Sequence, residues 1–454
     1  METKEPFELL TDFYQLTMAQ AYFHSRKLET ATFSLFVRSY PANRGYFVCA
    51  GLHNVLDYLE SFAMDVAAIN YLRSQGLFTD DFLEFLQNLR FTGDVWALPE
   101  GQIFFRDEPI VEVTSPIVEA QLVETFIINQ INFQSLIATK ACRCVHAAAG
   151  RSVVDFSLRR THGIDAGMKV ARSSYLAGFS ATSNILAGKD YGIPIGGTMA
   201  HSFIMSFERE IDAFRSYAAS FPDNAIFLID TYNTIAGARK AAEVGKEMAA
   251  QGRRLQGVRI DSGDLPQLAV EVRNILDDSG LPNVKIVGSG GLDEYDLAEF
   301  ADAQIPYDSY GVGTKMGTSS DAPWTDMAYK LVEYAGKPVL KRSPGKVSWP
   351  GAKQVFRQKN SQGQLDKDMV GLRGQNITGT EALLTKVMKN GKIVTPLPTL
   401  AQSRSRLSGE LSQLPDATKE IRNPAYYTVE FTPELIALRQ EIERKLMQAT
   451  DGKS

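Results

Sequence analysis

The sequence predicts an α/β protein whose middle segment folds as a parallel α/β barrel. Apolar, β-branched runs recur there without polar alternation, which is typical of strands buried on both faces of a parallel sheet. Segments with helical periodicity separate most of these runs, and the strand starts lie roughly 25 to 40 residues apart, the length of a βα unit. Almost every predicted strand ends in polar or glycine residues, in the segments SLRRTHG, GGTMAHS, IDTYN, RIDSGD, GSGG and GVGTK.

These strand ends favour a barrel over a doubly wound open sheet. A barrel places its active site at the carboxyl ends of its strands. An open sheet also binds ligands at strand ends, but mainly at the point where the strand order reverses. A whole series of strand ends rich in polar and glycine residues therefore indicates a barrel.

The flanking segments predict a different architecture. Residues 1–130 mix helical stretches with alternating strands such as TATFSLFVRSYP, which indicates an α+β domain. Residues 131–330 form the predicted barrel. Residues 331–454 predict antiparallel strands and a terminal helix, and we expect this C-terminal segment to pack on the other two.

Two further expectations concern the C-terminal segment. The stretches 355–380 and 398–420 are polar and show no periodicity, so they are predicted as long loops. The terminal helix is predicted to begin at Thr432, whose hydroxyl suits an N-cap.

Composition excludes several classes of protein. The chain has 454 residues and a formal net charge of −5, which argues against a partner among nucleic acids or anionic membranes. No apolar run approaches the roughly 18 residues of a transmembrane helix, and the acidic N-terminus is unlike a signal peptide. The three cysteines are an odd and sparse set, which indicates a reducing compartment, and we expect a cytoplasmic protein. Cys142 and Cys144 are too close for the usual zinc or redox spacing, and with Cys49 they are interpreted as ordinary buried or half-buried residues.

Two glycine-rich strand ends are candidate phosphate loops. Gly288 to Gly291 precede a predicted helix with acidic residues in its first turn, and Gly311 to Lys315 repeat the pattern one strand later. Glycine lets successive backbone N–H groups face an anion, and we expect the helix N-terminus to add its dipole. The alternative is that these glycines serve only tight turns.

Paired carboxylates follow another predicted strand. Asp261 and Asp264 lie just past its end, with Arg259 two residues before the first, and they suit a ribose diol or a hydrated Mg²⁺ ion. Asp264 has an alternative role as the N-cap of the helix that begins at Leu265. Asp230, in IDTYN, is a further carboxylate at a strand end.

Arg159 and Arg160 lie side by side at a strand end, and a guanidinium suits a pyrophosphate or a carboxylate. Alternation along a strand would point only one of them at a ligand, unless the strand has already ended. Paired surface arginines are the alternative. We interpret the neighbouring His162 as structural rather than catalytic.

His201 follows a pair of glycines and Thr198, and we expect it near the N-terminus of the helix that carries Phe207 and Ile211. The helix dipole disfavours imidazolium there, so the ring stays neutral and able to act as a nucleophile. A histidine satisfied by structural contacts is the alternative.

Taken together, these motifs resemble the nicotinate phosphoribosyltransferase family. The similarity runs from about residue 7 to about residue 330 and returns in RNPAYYTVEFTPEL. The individual motifs are loose, but their order and spacing are specific. They are LLTDFYQLTMAQAYF, FSLRRTHGIDAG, GGTMAHSF, IDTYNT, GVRIDSGDL, GSGGLDE and GVGTKMGTS.

The resemblance implies an irregular α/β barrel packed with an α+β domain built from the N- and C-terminal segments. It implies that nicotinate and phosphoribosyl pyrophosphate give nicotinate mononucleotide and pyrophosphate, with Mg²⁺ present and ATP hydrolysed to ADP and phosphate. This is a salvage step toward NAD. It also implies a homodimer with shared active sites.

The family's motifs assign roles to particular residues. The resemblance implies that His201 is transiently phosphorylated by ATP, that Thr198 lies near nicotinate, and that Arg259 meets the nicotinate carboxylate. It implies that Tyr14 stacks on the pyridine ring from the partner subunit. Arg160 is expected near the pyrophosphate.

The same comparison places the 5′-phosphate at Thr314 and the two glycine loops, with Gly290, Gly291 and Gly313 as the contacting glycines. It places Asp261 at the ribose hydroxyls or Mg²⁺, and Asp230 is taken as a further substrate-binding carboxylate. Some family members carry a C-terminal zinc site made of cysteines. No cysteine follows Cys144, so no zinc is expected.

Other functions compete with this one. A sister enzyme for nicotinamide would be expected to carry a carboxylate where this chain has Thr198, and one for quinolinate would need additional cations around the ring. A catalytically inactive sensor would lack the phosphate loops or His201, and neither is lost. A barrel enzyme for another phosphorylated sugar is the remaining alternative.

Overall fold

The structure is a computed structural model that describes residues 7–341 and 348–451. The chain forms two compact units, one made of Met1–Leu136 with Trp324–Ser454 and the other of Ile137–Pro323. These units are defined by packing, and the division into 1–130, 131–330 and 331–454 stays a prediction. Among the described residues, no helix has both the length and the apolar character that crossing a membrane requires.

The N-terminal segment contributes six helices and five strands. The helices are α1 (Phe13–His24), α2 (Leu52–Ser61), α3 (Val66–Ser74), α4 (Asp80–Asn88), α5 (Ile117–Leu122) and α6 (Glu124–Ala147). The strands are β1 (Thr30–Val37), β2 (Phe47–Val48), β3 (Asp94–Ala97), β4 (Ile103–Phe104) and β5 (Val111–Pro116). The division between the two units falls within α6.

The middle segment alternates strands and helices. The strands are β6 (Ser152–Asp155), β7 (Ala181–Thr182), β8 (Ile226–Leu228), β9 (Gly257–Ile260), β10 (Lys285–Gly288) and β11 (Ser309–Val312). The helices are α7 (Ile164–Leu176), α8 (Ile185–Tyr191), α9 (His201–Met205), α10 (Glu210–Ser220), α11 (Thr234–Ala250), α12 (Leu265–Asp278), α13 (Glu294–Asp302) and α14 (Thr314–Gly317), with a 3-10 turn at Leu158–Arg160.

The C-terminal segment is rich in strands. These are β12 (Met327–Tyr334), β13 (Lys337–Pro338), β14 (Lys353–Lys359), β15 (Leu365–Leu372), β16 (Thr380–Ala382), β17 (Thr385–Lys389), β18 (Lys392–Ile393) and β19 (Val429–Phe431). The helices are α15 (Leu400–Gln413), α16 (Asp416–Lys419) and α17 (Pro433–Asp451). Thr432 accepts a bond from the Leu435 N–H at 3.4 Å, so the predicted N-cap is confirmed.

The second unit is built on a curled, parallel sheet with the order β7-β6-β11-β10-β9-β8. All five pairings are parallel, and within the described residues β7 and β8 do not pair with each other. The sheet is therefore an incomplete barrel, and the predicted irregular parallel α/β barrel is confirmed. Helices α11 and α12 follow β8 and β9 as the periodicity predicts.

One predicted strand of the barrel is wrong. The strand expected before the segment GGTMAHS is the apolar run Tyr191–Ile195, but Tyr191 ends α8 and Gly192 adopts a left-handed conformation at the helix C-cap. Pro194 lacks an N–H to donate to a ladder, and only an isolated bridge joins Ile195 to Thr182. The short strand β7 occupies the sheet position next to β6 instead.

The first unit is α+β, and both ends of the chain build it. Its seven-stranded sheet has the order β13-β12-β1-β5-β3-β17-β18, so β1 from the N-terminal segment lies between β5 and the C-terminal β12. A separate sheet has the order β16-β14-β15-β19. The predicted α+β domain built from N- and C-terminal segments is confirmed.

The loops predicted at 355–380 and 398–420 are wrong in large part, because β14, β15 and α15 run through them. Strand β14 buries polar residues as well as apolar ones, among them Lys353, Gln354 and Arg357. An inward-facing polar residue removes the apolar pattern that predicts a strand. Residues 342–347, within the predicted antiparallel strands, lie outside the described residues.

A buried ion network explains those polar side chains. Arg357 is 1% exposed, and its Nη2 lies 2.6 Å from Asp368 Oδ2 on the neighbouring strand. Its Nη1 donates to Glu410, and its Nη2 also donates to the carbonyl oxygen of Ile103 at 3.0 Å. A buried charge without its partner is costly, so this network fixes β14 against β15.

We expect Arg357→Met to lower the free energy of unfolding by about 3–5 kcal/mol, because Asp368 and Glu410 would lose their buried cation. Lys367→Met is the matched control, since Lys367 precedes Asp368 on β15 but pairs at the surface with Glu430. That control should cost less than about 1 kcal/mol. Urea unfolding measures both, and equal midpoints would contradict this assignment.

Candidate active site

Arg259 is the centre of the site. From β9, its Nε donates to Ser289 Oγ at 2.9 Å and its Nη2 to Asp261 Oδ1 at 3.0 Å. Its Nη1 donates to Thr198 Oγ1 at 2.6 Å and to the Met199 carbonyl oxygen at 3.3 Å. Three segments that are far apart in the sequence therefore meet at one guanidinium.

Asp261 is held in its ionised form. Ser289 Oγ donates to Asp261 Oδ1 at 2.6 Å, and the Arg259 guanidinium contacts the same oxygen. Burial raises the pKa of this carboxyl, but the Ser289 hydrogen bond and the charge of Arg259 outweigh burial and lower it. A positive charge on the His201 ring, when present, would act in the same direction, so the histidine lies within electrostatic reach of Asp261.

Asp230 lies beside Asp261 at the neighbouring strand end. Its Oδ2 accepts bonds from the Asp261 backbone N–H at 3.1 Å and from Ser262 Oγ at 2.6 Å. Its Oδ1 is buried and has no hydrogen-bond partner among the described residues. An oxygen with unused acceptor capacity suits a cation or a donating hydroxyl group of a ligand.

These two carboxylates fit Mg²⁺ bound together with a substrate. Magnesium is usually held by one or two carboxylates plus substrate phosphates, rather than by an all-protein cage. Within the described ranges, no group of three or more His, Cys, Asp or Glu side chains could hold a metal ion by itself. The oxygen donors of Asp261 and Asp230 have the chemistry that Mg²⁺ requires.

His201 is the first residue of α9, as expected, but the helix differs from the prediction. Helix α9 ends at Met205, so Phe207 lies beyond it and Ile211 belongs to α10. The His201 Nδ1 atom lies 3.1 Å from Thr231 Oγ1, while its other ring nitrogen has no hydrogen-bond partner among the described residues. One nitrogen is thus occupied by a hydroxyl and the other is free.

The glycine loops pack tightly against the rest of the site. A Cβ on Gly290 would lie 1.9 Å from the Asp261 carbonyl oxygen, and Gly290 has a φ of 101°. A Cβ on Gly313 would lie 2.9 Å from the Phe156 carbonyl oxygen. The Phe156 ring lies under the Arg259 guanidinium, with 5.6 Å between Cζ and the ring centroid. Both loops therefore pack against residues that surround Arg259.

The α13 N-terminus does not supply the free dipole that the sequence predicts. Asp293 caps the helix, and its Oδ1 accepts bonds from the N–H groups of Tyr295 at 3.0 Å and Asp296 at 3.4 Å. The Asp293 carboxylate is thus the anion that already interacts with the first turn and with the helix dipole. Gly291 has a φ of 78° and open space around it, so the backbone of the loop is accessible to a ligand.

The second loop leads directly into Thr314, which begins α14 and is half-buried. The preceding Gly313 has a φ of −125° and a ψ of −105°, so it turns the chain out of the sheet. Lys315 follows, and its ammonium lies 3.2 Å from Asp293 Oδ2 and 3.2 Å from Asp296 Oδ2.

Arg159 and Arg160 lie on the exposed 3-10 turn that follows β6. The strand ends at Asp155, so strand alternation does not separate the two side chains. Neither guanidinium has a carboxylate partner in the part of the chain that the structure describes. Either arginine could therefore meet an anion.

Asp264 accepts a bond from the Gln267 N–H at 3.1 Å, so it is the cap of α12.

Tyr14 belongs to the other unit. It lies on α1 with 48% of its surface exposed, and Gln15 Nε2 donates to its hydroxyl at 3.5 Å. Burial raises the pKa of this phenol. Its predicted stacking on the pyridine ring stays a prediction.

Three residues of the site were not singled out by the sequence. Ser289 lies inside the candidate phosphate loop, and its position between two glycines was the available signal. Phe156 directly follows β6 and is one of 25 phenylalanines in the chain, and nothing in the sequence pattern distinguishes it. Asp155 ends β6, where its carboxylate accepts bonds from Ser157 and Thr182. Its burial, which raises its pKa, points to a structural role.

A cavity of about 860 Å³ lies within the second unit. Phe156 and Thr198 line one part of it. The rest of the lining mixes apolar side chains with polar ones, among them Lys285 and Ser309, which begin β10 and β11, so that part of the cavity lies at the amino ends of the strands. The three cysteines lie elsewhere, are buried and form no disulfide, which confirms that they are ordinary buried residues.

Family models match most of the chain. Residues 9–132 match the nicotinate phosphoribosyltransferase N-terminal domain, and residues 375–439 match the C-terminal domain of the same family. Residues 151–343, which include the site around Arg259, match the nicotinate phosphoribosyltransferase family.

Individual proteins agree with these models. The nicotinate phosphoribosyltransferase pncB2 of Mycobacterium tuberculosis is 47% identical over 421 residues, covering 92% of this chain and 90% of that protein. The crystal structure of human nicotinic acid phosphoribosyltransferase matches with a TM-score of 0.86 and 29% identity, covering 95% of this chain and 99% of the other. A nicotinate-nucleotide pyrophosphorylase from Pyrococcus furiosus matches with a TM-score of 0.75 and 26% identity, covering 91% and 97%. The chain belongs to the nicotinate phosphoribosyltransferase family.

Proposed function

We propose that this chain joins nicotinate to phosphoribosyl pyrophosphate, giving nicotinate mononucleotide and pyrophosphate, and couples this step of NAD salvage to ATP hydrolysis through a phosphohistidine at His201. One observation supports the substrate choice above all. The guanidinium of Arg259 lies on an aromatic ring and next to the neutral hydroxyl of Thr198.

Arg259 has the donors that an aromatic acid needs. A guanidinium carries five N–H donors, and four of the Arg259 donors have partners among the described residues. The remaining N–H, together with the positive charge, favours a carboxylate over the neutral amide of nicotinamide. Quinolinate would bring a second carboxylate, and no further arginine or lysine contacts Arg259, Thr198 or Phe156 within the described ranges.

The glycosyl step needs little covalent help. The pyridine nitrogen attacks the anomeric carbon with its lone pair, while the bond to pyrophosphate breaks and pyrophosphate leaves with the electron pair. Binding both substrates in line is the main contribution of the site. The glycine loops with Thr314 are assigned to the 5′-phosphate, ionised Asp261 to the ribose hydroxyls, and Arg160 to the pyrophosphate.

Magnesium would be held by Asp261 and Asp230 together with substrate oxygens, and it would supply charge neutralisation of the leaving pyrophosphate. The unpaired Oδ1 of Asp230 supports this assignment. The lowered pKa of Asp261 keeps its carboxylate available at neutral pH.

His201 is assigned to energy coupling. Its free nitrogen would attack the γ-phosphorus of ATP, the bond to the bridging oxygen would break, and ADP would leave with the electron pair. Water would then release phosphate and restore the imidazole. Thr231 supports this role, because its hydroxyl oxygen can accept a hydrogen bond from Nδ1–H, which leaves the lone pair on Nε2.

Assembly and location are also proposed. We expect a homodimer in which Tyr14 of one subunit reaches the nicotinate of the other, and the exposure of Tyr14 supports this. Three buried cysteines that form no disulfide support a cytoplasmic enzyme.

The substrate choice is tested by mixing pure protein with phosphoribosyl pyrophosphate and Mg²⁺, then adding nicotinate, nicotinamide or quinolinate in turn, with and without ATP. Nicotinate mononucleotide from nicotinate is expected. Product from nicotinamide alone would overturn the proposal.

Arg259→Met should lower kcat/KM for nicotinate by about 100-fold or more, because the carboxylate loses its cation in a half-buried site. The low activity with nicotinamide should change much less. Arg239→Met, an exposed arginine of α11, is the control and should leave both values unchanged. An equal loss with both substrates would show that Arg259 does not select the carboxylate.

His201→Ala should retain slow, ATP-independent formation of nicotinate mononucleotide and lose the stimulation by ATP, because glycosyl transfer does not use the imidazole. Steady-state rates with and without ATP measure this, and labelled phosphate from ATP should no longer remain on the protein. His24→Ala, in the other unit, is the control. Equal loss of both activities would refute the division of roles.

Gly290→Ala should raise KM for phosphoribosyl pyrophosphate by about 10-fold or more, because the new methyl group would meet the Asp261 carbonyl oxygen and displace the loop. Gly252→Ala is a matched control, since Gly252 also has a positive φ, 71°, but open space around it. If the two variants have the same KM, the loop at Gly290 does not bind this substrate.

A further inference from the structure

Lys315 joins the two glycine loops. It follows the second loop on α14, and its Nζ lies 3.2 Å from Asp293 Oδ2 and 3.2 Å from Asp296 Oδ2. Asp293 comes two residues after Gly291, at the end of the first loop. The ion pairs therefore hold together the segments that follow the last two strands of the barrel.

The two carboxylates are held close to each other by the helix cap. Asp296 Oδ2 accepts a bond from the Asp293 backbone N–H at 2.9 Å, and Asp293 Oδ1 caps the first turn of α13. Burial raises the pKa of Asp296, and the charge of Asp293 adds to this. Burial also raises the pKa of Asp293, but Lys140 and Lys315 outweigh it and lower that pKa. The two carboxylates of Asp293 and Asp296 are therefore held in fixed positions just after the first loop.

The other lysine near this cap already forms ion pairs with two carboxylates. Lys140 is fully buried, and its Nζ lies 2.5 Å from Glu294 Oε2 and 2.7 Å from Asp321 Oδ1. Lys315 differs, because 41% of its side chain is exposed. An ammonium has three N–H donors, and two of those on Lys315 meet carboxylates. The third has no acceptor among the described residues.

A phosphate dianion at these loops needs a cation. The loops at 288–291 and 311–314 contain no lysine or arginine, and Lys315 is the next residue after the second. Arg259 contacts Ser289 of the first loop but is assigned to the nicotinate carboxylate, so without Lys315 the backbone N–H groups would have to hold the dianion against Asp293 and Asp296. The ammonium of Lys315 offsets both carboxylates and keeps one donor for a ligand.

We propose that Lys315 is the cation of the 5′-phosphate site, which ties the two loops through Asp293 and Asp296 and donates its remaining N–H to the phosphate. This rests on the assignment of the glycine loops to the 5′-phosphate made under the proposed function. The ligand class is a sugar phosphate monoester, and the contact is independent of the nicotinate ring and of ATP.

The experiment measures the binding of ribose 5-phosphate by calorimetry, and KM for phosphoribosyl pyrophosphate and nicotinate, in the full-length protein. Lys315→Met should weaken ribose 5-phosphate binding and raise KM for phosphoribosyl pyrophosphate by about 10- to 100-fold, the usual effect of losing a charged hydrogen bond. KM for nicotinate should stay within about twofold. Lys315→Arg should recover part of the loss, and Lys246→Met, an exposed lysine of α11, should match the unmodified protein.

Lys315→Met with unchanged ribose 5-phosphate binding would overturn the inference. Gly290→Ala separates this result from failure of the proposed site. If Gly290→Ala weakens ribose 5-phosphate binding and Lys315→Met does not, the loops bind phosphate without Lys315. If neither variant changes it, the 5′-phosphate assignment fails as well. Adding Asp296→Asn to Lys315→Met should not restore full affinity, and full recovery would show that Lys315 only neutralises the cap and does not contact the ligand.

Discussion

A half-buried guanidinium must have partners, and at the end of β9 this requirement organises the whole site. Arg259 takes its partners from three separate segments, at Thr198, Asp261 and Ser289. The segment at Thr198 belongs to no strand, so the bond from Arg259 gives it a fixed position that the sheet does not provide. His201 follows three residues later. Arg259, which we propose selects the substrate carboxylate, thus also positions the segment that leads to His201.

Close packing of glycine supplies the second constraint. Gly290 touches the backbone of Asp261, and Gly313 touches the backbone of Phe156, with no room for a side chain at either contact. The loops therefore cannot move away from the residues around Arg259 without breaking a backbone contact. The main chain therefore fixes the positions of the loops around Arg259, while the side chains set the charge of the site.

Much of this could be predicted from the sequence, because the barrel strands are apolar on both faces and the helices between them have clear periodicity. The same reasoning failed where polar residues are buried and where an apolar run does not form a strand. Strand β14 carries Arg357 inward, since Asp368 and Glu410 neutralise it, and a single sequence shows no such pairing. The run Tyr191–Ile195 is apolar enough for a strand, but Gly192 ends α8 and Pro194 interrupts the ladder.

The candidate site likewise contains residues that could be predicted from the sequence and residues that could not. Glycines, carboxylates and the histidine at strand ends could be found because their residue types suggest chemistry. Phe156 and Ser289 could not be singled out, since their roles come from the orientation of Arg259 in three dimensions. The helix of His201 was placed correctly at its first residue, but its length depends on where the chain turns after Met205. No periodicity marks that turn.

The position of β1 between β5 and β12 has a consequence for synthesis of the chain on the ribosome. Strand β5 follows soon after β1, but β12 begins at Met327, after the whole barrel unit has emerged. At about 5–20 residues per second, one edge of β1 waits on the order of 15 to 60 seconds for its partner. During that interval the unpaired edge is open to other strands, so the nascent protein depends on chaperones or on rapid folding of the inserted unit.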